Sequence, residues 1–171
     1  PISVEGLSHF IEKQIPQKGE HQKVILAISL GAMVTLDFLL KFQDRVSMAF
    51  VMNTSFKNLS PFYHRLQLGA LRKMVAIGLS KNPREKEEWI LKMTSQSKKT
   101  NSDCVDQWSL LAEERPIAIR TILHQLLAAS RYRLAKEKPK TPVCVLSSKG
   151  DQMVHGSCSQ ALAAYWGLEH R

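Results

Sequence analysis

Cysteine is scarce in this sequence, and long apolar runs are absent. The 171 residues include 3 cysteines, an odd number without any closely spaced pair, which excludes a disulfide framework and a cysteine-based zinc motif. The most apolar stretch, residues 24–40, is interrupted by Ser29, Gly31, Thr35 and Asp37, so it cannot supply the roughly 20 apolar residues of a membrane-spanning helix. We therefore expect reduced thiols, a cytoplasmic protein and no transmembrane segment.

Motifs for cofactors are missing as well. The sequence has no P-loop, no GxGxxG and no HExxH, so nucleotide, flavin and metal cofactors are not expected. With 44% hydrophobic and 23% charged residues, and without an internal repeat, the composition excludes collagen-like, mucin-like and disordered chains. It favours a globular domain with a sizeable core.

Positive charge is confined to the middle of the chain. Residues 57–141 hold 17 Lys and Arg against 8 Asp and Glu, whereas the rest holds 7 of each, so this segment carries the whole net charge of +9. Nucleic acid is the usual partner of such an excess. No helix-turn-helix, zinc or single-strand-binding motif accompanies it, and acids such as Glu85 and Glu87 interrupt it. A nucleic-acid-binding module is therefore kept only as an alternative.

Apolar runs and helical patterns alternate along the chain. Continuous runs of this kind are typical of strands buried on both faces of a parallel sheet. The predicted order is a short helix within residues 1–22 closed by Pro16 and Gly19, a strand at 24–28, a helix from Gly31 to about Phe42, a strand at 46–52, a strand at 143–146, and a helix at 159–166 ending at Gly167.

The long segment between the second and third strands looks all-helical. Helical spacing is found at residues 61–79, 85–93 and 116–132, with loops at 98–103 and 136–140. Together with the strands, this order predicts an α/β fold in which a parallel sheet with flanking helices carries one insertion. We assign residues 1–56 and 139–171 to the α/β core and residues 57–138 to an inserted helical lid.

A serine stands where the first strand passes into its helix. Ser29 lies in the string Ala-Ile-Ser-Leu-Gly, residues 27–31. A tight strand-to-helix turn needs small residues two before and two after the serine, and Ala27 and Gly31 satisfy this need. Such a turn exposes the hydroxyl and directs the amide of Leu30 toward the same point, which suits a nucleophile beside an oxyanion. The simpler alternative is that Ser29 caps the helix.

An acid follows the third strand. Asp151 lies in the polar stretch Ser-Ser-Lys-Gly-Asp-Gln-Met-Val, residues 147–154, at the carboxyl end of a sheet strand, where a carboxylate can orient a catalytic histidine. The alternative is an ordinary turn aspartate beside Gly150. The chain order serine, then acid, favours the catalytic interpretation.

These features together resemble the α/β-hydrolase superfamily over essentially the whole chain. The elbow AISLGA, the strand end VMNTS, the loop SSKGDQMV and an inserted helical lid occur in the family's order, and two further stretches look like a group of bacterial members. The resemblance implies a serine esterase or lipase acting on a carboxylic ester or thioester. Ser29 would be the nucleophile, Asp151 the acid and the amide of Leu30 half of the oxyanion hole.

The histidine of such a triad is not found at its family position. By resemblance it follows one more strand, so we expect it after Arg171, and neither His155 nor His170 suits the role; His9, His21, His64 and His124 are expected on the surface or in the lid. The early strands and the second oxyanion-hole loop are expected upstream of Pro1. We therefore expect an ordered portion of a longer polypeptide, which would self-associate if made alone because its first strand has an unpaired edge.

The lid would roof the acyl pocket and meet the substrate's carrier. Candidate lining residues are Phe62, Tyr63, Leu66 and Trp89, with Leu71 and Trp108 as further possibilities. A basic lid suits an acidic acyl carrier protein or an anionic lipid surface, and Arg120, Arg131 and Arg133 are the expected docking residues. The alternative class is a non-catalytic interaction protein with a hydrolase-like fold. The sequence makes no prediction of oligomeric state.

Overall fold

Four parallel strands form the sheet in the computed structural model, which describes residues 2–16, 22–95 and 102–171. Strands β1 (Val24–Ile28), β2 (Met48–Met52), β3 (Val143–Leu146) and β4 (Glu169–His170) lie side by side in chain order. The carboxyl ends of β1, β2 and β3 therefore meet at one edge of the sheet. The predicted α/β class and parallel sheet are confirmed.

Helices pack on this sheet. Helix α1 (Val4–Gln14) lies on α2 (Leu30–Lys41), α2 packs on β1 and β2, and α8 (Ser157–Trp166) packs on β3 and β4. Gly167 ends α8 in the left-handed conformation at φ 62°, as its position predicts. Helix α1 ends before Pro16, and the predicted closing residue Gly19 lies outside the described residues.

The segment between β2 and β3 is helical where it is described. We refer to it as the helical insertion; it contains α3 (Phe62–Arg65), α4 (Leu68–Leu79), α5 (Pro83–Thr94), α6 (Ser102–Glu114) and α7 (Ile119–Arg131). Helix α5 packs against both α4 and α6, and α7 contacts α2.

Two predictions about the insertion are wrong. The single helix expected over residues 61–79 is broken, because Leu66 and Gln67 are extended and the Gln67 amide donates to the carbonyl of Met153 at 2.9 Å. A tertiary contact thus replaces a helical one. The loop predicted over residues 98–103 is also wrong at its carboxyl end, because Asp103 lies in the first turn of α6. The helix dipole favours an acid at that place. Residues 98–101 lie outside the described part.

Strand β1 departs from the prediction of burial on both faces. Val24, Leu26 and Ile28 are 56%, 71% and 57% exposed. These alternate residues share one face of the sheet, and among the described residues no helix covers that face at β1. Strand β1 also lies at one edge of the described sheet, with β4 at the other. The apolar run therefore predicted the strand correctly, but the strand is not buried on both faces as expected.

A buried polar cluster joins three helices. Asp37 of α2 accepts hydrogen bonds from the hydroxyl of Ser8 on α1 and from the hydroxyl of Tyr132, just after α7, at 3.1 Å. Lys41, one turn further along α2, places its ammonium 2.7 Å from the same carboxylate. Burial, followed by the nearby Asp37 charge, raises the pKa of Tyr132. The sequence pattern gave no signal for this cluster.

All three cysteines, Cys104, Cys144 and Cys158, are free thiols. Burial raises the pKa of Cys158, so this thiol is held in its neutral form. Across the described ranges, none of the helices combines the length and the apolar character needed to cross a bilayer.

Candidate active site

Ser29 lies in a strained turn between β1 and α2. Its backbone has φ 52° and ψ −119°, a region that L-residues other than glycine rarely adopt and that costs about 1–3 kcal/mol. Its own amide donates to the carbonyl of Met52 at 2.9 Å, which fixes the turn to the end of β2. The Ser29 side chain is exposed, so its hydroxyl is available at the carboxyl edge of the sheet.

Small neighbours make this turn possible. A Cβ placed on Gly31 would come within 4.0 Å of the Cβ of Ala27, so the two sides of the turn approach closely. The Ser29 hydroxyl makes no capping hydrogen bond to α2, which argues against the helix-cap alternative. Leu30 is the first residue of α2, and amides of a first turn have no acceptor within the helix. Its N–H is thus suited to bind an oxyanion.

The segment after β2 supports the turn from beneath. The buried hydroxyl of Thr54 donates to the carbonyl of Ser29 at 3.0 Å. Asn53, at φ 49°, donates from Nδ2 to the Ser148 hydroxyl at 3.2 Å and accepts from the Ser148 amide at 2.9 Å. Sequence reasoning used this segment only for its resemblance and missed both side chains. A polar triplet directly after a buried strand was the available signal.

Asp151 is held in a compact loop after β3. Its Oδ1 accepts from the amides of Met153 at 2.7 Å and Val154 at 3.1 Å, and its carbonyl accepts from Nε2 of Gln67 at 3.0 Å. The aspartate therefore does form the turn that was considered as an alternative. That turn fixes one carboxylate oxygen and is compatible with the other facing a catalytic partner.

Ser29 and Asp151 line one cavity of about 450 Å³. Its walls come from the two sequence-predicted residues, from Asn53 and Ser148, and from the end of α5, where Met93 contributes. The structure thus brings together the serine and the acid that sequence reasoning placed on different strands. The two residues lie close together because β1 and β3 both run parallel to β2, so that their carboxyl ends lie at the same edge of the sheet.

A second cavity beside Ser29 is largely apolar. It measures about 430 Å³. Phe62 and Leu66, both predicted from sequence, line it, and the opposite wall comes from α7 through Leu123, Leu126 and Leu127, which sequence reasoning did not single out. Apolar side chains around a nucleophile suit the hydrocarbon part of a substrate.

Two of the predicted lining residues lie elsewhere. Tyr63 and Trp89 line neither of the two cavities that Ser29 borders. Tyr63 is exposed and contacts the rings of Phe62 and His64. The Lys92 ammonium lies 5.5 Å from the Trp89 ring centre, and Met93, one turn further along α5, borders the cavity instead. The further possibilities Leu71 and Trp108 are not lining residues of these cavities either.

Arg65 attaches α3 to α7. Its guanidinium donates to the carbonyls of Ala129 at 2.6 Å and Ser130 at 3.0 Å. Burial lowers the pKa of Arg65. This contact holds the two walls of the apolar cavity together.

The described histidines do not reach Ser29. His155 stacks on His64 with ring centres 4.6 Å apart, and both rings bond the hydroxyl of Ser157. His170 lies in β4, with Nε2 2.9 Å from the hydroxyl of Ser147. His9 packs against a phenylalanine, His124 is exposed on α7, and His21 falls outside the described residues. No described group of His, Cys, Asp and Glu is placed to hold a metal ion.

Two of the three predicted docking arginines share a further cavity. Arg131 and Arg133 line a volume of about 390 Å³ together with His124 and the start of α1, while Arg120 does not. Leu127 borders both this basic cavity and the apolar cavity beside Ser29. The basic and apolar cavities therefore adjoin the same residue of α7.

Comparison with solved structures shows the same fold in larger proteins. The chain matches a thermophilic esterase (TM-score 0.66, 17% identity, 99% of this chain and 63% of the other). It also matches a hydrolase from Pseudomonas aeruginosa PA01 (0.67, 14%, 99% and 63%) and a lipase-esterase related protein from Clostridium acetobutylicum ATCC 824 (0.64, 13%, 99% and 65%). At such identities the likeness shows the fold alone. The chain spans 63% of the length of the esterase.

Family membership is shown by sequence. The comparison with curated proteins found no match. A family model described as serine aminopeptidase, S33, matches residues 2–170. Since that match runs through the Ser29 turn, the helical insertion and the Asp151 loop, this chain belongs to the S33 serine aminopeptidase family of α/β hydrolases.

Proposed function

We propose that this chain carries the nucleophile and the acid of a serine hydrolase that cleaves carboxylic esters or thioesters. One observation carries the proposal: the exposed Ser29, in a strained turn at φ 52°, borders a cavity that Asp151 also lines. Backbone strain of this kind persists only where surrounding contacts impose it, and it concentrates at active sites.

The proposed reaction proceeds through an acyl-enzyme. Ser29 Oγ attacks the carbonyl carbon while its proton passes to an imidazole base, and the carbonyl oxygen becomes an oxyanion that the Leu30 amide stabilises. When this tetrahedral intermediate collapses, the bond between the carbonyl carbon and the leaving alkoxide or thiolate breaks. The leaving group takes the proton from the imidazolium. In the second half, the same imidazole takes a proton from water, whose oxygen attacks the acyl carbonyl. The bond between the acyl carbon and Ser29 Oγ then breaks, Oγ takes the proton back from the imidazolium, and the carboxylic acid leaves.

Asp151 would orient the imidazole and stabilise its charged form. We propose that neither His155 nor His170 is this base, because His155 is engaged with His64 and His170 with Ser147. The aspartate is suited to this task because Met153 and Val154 already fix one of its oxygens.

An acyl chain is the proposed apolar portion of the substrate. Side chains of α3 and α7 form part of the wall of the apolar cavity beside Ser29, so the helical insertion would act as a lid over the acyl group. Arg131 and Arg133, which line the cavity between α7 and the start of α1, favour an anionic partner such as an acidic acyl carrier protein or an anionic lipid surface. If the free ester and the carrier-bound ester were hydrolysed at the same rate, and salt did not change either rate, the proposed anionic partner would be ruled out.

Labelling by a fluorophosphonate tests the mechanism. In the full-length polypeptide that contains these residues, we expect the probe to form a covalent adduct at Ser29, located by peptide mass spectrometry. Ser29→Ala should abolish the adduct, whereas Ser109→Ala should retain it, since that hydroxyl bonds the Val105 carbonyl within α6. A folded protein that is not labelled would instead support the non-catalytic interaction protein.

A further inference from the structure

Asn53 stands between the nucleophile turn and the acid loop. It follows β2, the strand that pairs with β1 on one side and with β3 on the other. It lines both the cavity shared by Ser29 and Asp151 and the apolar cavity beside it. Met153 and Val154 of the acid loop also line both cavities, so Asn53 is the residue after β2 that lies where the nucleophile turn and the acid loop meet.

Both polar atoms of the Asn53 amide bind one residue of the acid loop. Oδ1 accepts from the Ser148 amide at 2.9 Å, and Nδ2 donates to the Ser148 hydroxyl at 3.2 Å. The carbonyl of Ser148 in turn accepts from the Asp151 amide at 3.3 Å. The chain of contacts thus runs from Asn53 through Ser148 to the proposed catalytic acid.

The backbone around Asn53 is fixed to the nucleophile on its other side. The carbonyl of Met52 accepts from the Ser29 amide at 2.9 Å, and the Thr54 hydroxyl donates to the Ser29 carbonyl at 3.0 Å. The amide of Asn53 itself donates to the carbonyl of Leu146, the last residue of β3, at 3.2 Å. Asn53 is thus fixed relative to Ser29 before its side chain makes any contact.

We propose that Asn53 is a positioning residue that holds the Ser148–Asp151 loop at the correct separation from Ser29. The inference rests on the proposed hydrolase function. A misplacement of about 1 Å in a catalytic group can cost a hundredfold in rate, so two directed hydrogen bonds at the base of the acid loop have a large effect on catalysis.

Asparagine suits this place for two physical reasons. Its φ of 49° lies in the left-handed region, which asparagine tolerates better than most residues. Its amide also offers a donor and an acceptor together, which match the hydroxyl and the amide of Ser148. Glycine accepts the same backbone conformation but provides neither hydrogen bond.

The test compares Asn53→Gly with a matched asparagine in the full-length polypeptide. Asn58 also uses both amide atoms, donating to the Leu134 carbonyl at 3.0 Å and accepting from its amide at 2.9 Å, but it lines neither cavity at Ser29. With p-nitrophenyl butyrate, we expect Asn53→Gly to lower kcat by at least tenfold with KM within twofold. Asn58→Ala should lower Tm and leave kcat unchanged.

A double-mutant comparison separates positioning from stability. Ser148→Ala removes one of the two bonds and should lower kcat by a smaller factor; it also provides the test if Asn53→Gly does not fold. Added to Asn53→Gly, Ser148→Ala should have no further effect on kcat. The rate of fluorophosphonate labelling should fall in parallel with kcat.

Two results would overturn the inference. One is an unchanged kcat and labelling rate in Asn53→Gly or, where that variant does not fold, in Ser148→Ala. The other is independent, multiplicative effects of Asn53→Gly and Ser148→Ala. Failure of the proposed function itself is recognised separately, because Ser29→Ala would then leave the wild-type labelling or hydrolysis intact.

Discussion

The Ser29 turn depends on the sizes of its nearest neighbours. Gly31 follows the serine by two residues in the first turn of α2, and a Cβ there would be 4.0 Å from Ala27 Cβ, an ordinary van der Waals distance. A methyl group therefore fits, in agreement with the need for a small residue at this position. A branched side chain adds two further carbon atoms beyond that Cβ, where the two sides of the turn come together.

Substitutions at Gly31 should therefore divide by size. We expect Gly31→Ala to keep the fluorophosphonate labelling of Ser29 and to raise the free energy of unfolding by about 0.5–1 kcal/mol, because alanine loses less backbone entropy in a helix. Gly31→Val should reduce labelling at least tenfold. Labelling rates and urea unfolding measure the two effects, and equal behaviour of both variants would contradict the explanation.

The acid loop owes its shape to contacts that come from other parts of the chain. Gln67 donates its amide to Met153 and its side chain to the Asp151 carbonyl, and Lys73 donates to Gln152 at 2.5 Å. The helical insertion thus supports the loop that carries the proposed acid. We see in this the reason for the break between α3 and α4.

At the scale of elements, the buried Asp37 joins α1, α2 and the end of α7. Ser8 and Tyr132 both donate to it from the interior. Tyr132, directly after α7, therefore joins the end of the helical insertion to the core helix α2. Polar links of this kind are costly to break, because the remaining buried groups lose their partner.

Removing this carboxylate should destabilise the protein without a direct effect on chemistry. We expect Asp37→Ala to lower the free energy of unfolding by about 3 kcal/mol, since two buried hydroxyls and the Lys41 ammonium lose an acceptor. Glu113→Ala, which removes an exposed carboxylate on α6, should change stability by less than about 0.5 kcal/mol. Urea unfolding of both variants provides the measurement, and equal losses would refute the role assigned to the cluster.

At the scale of the whole molecule, β1 is an edge strand with an uncovered apolar face. Edge strands offer unpaired backbone groups to other chains, and Leu26 adds a side chain that is 71% exposed. Together they create a surface on which a polypeptide of residues 1–171 can pair with another copy.

Self-association of the isolated 1–171 polypeptide should therefore depend on β1. We expect Leu26→Lys to shift the population toward monomer, because a charge on an edge strand opposes pairing. Leu110→Lys, at a leucine 62% exposed on α6, is the matched control and should leave association unchanged. Native mass spectrometry checks this. If the wild-type polypeptide of residues 1–171 were a monomer, the β1 edge would not cause self-association.

Strand and helix assignments in the core were predictable because each depends on local sequence. The strands at 24–28 and 143–146 begin and end as predicted, since apolar runs bounded by polar residues carry that information. The Ser29 motif was predictable for the same reason: small residues at fixed spacing act within one turn. Helix α6 was missed because its polar first turn reads like a loop.

Residue-to-residue contacts across strands were not predictable. Nothing local to Asn53 indicates that it will bind Ser148, and nothing local to Asp37 indicates Tyr132, because each pair is joined only by the packing of distant elements. The same holds for Tyr63 and Trp89, whose apolar character fitted a pocket that the placement of α5 and α7 assigned to other residues.

The sequence by itself determined the α/β class, the order of β1, β2 and β3 along the chain, and the serine and acid that border the cavity. These follow from periodicity and from motifs that act over a few residues. The tertiary structure alone decided which side chains connect them, which walls enclose the cavity beside Ser29, and which face of β1 is exposed. Those properties depend on the packing of residues far apart in the chain, which no local pattern encodes.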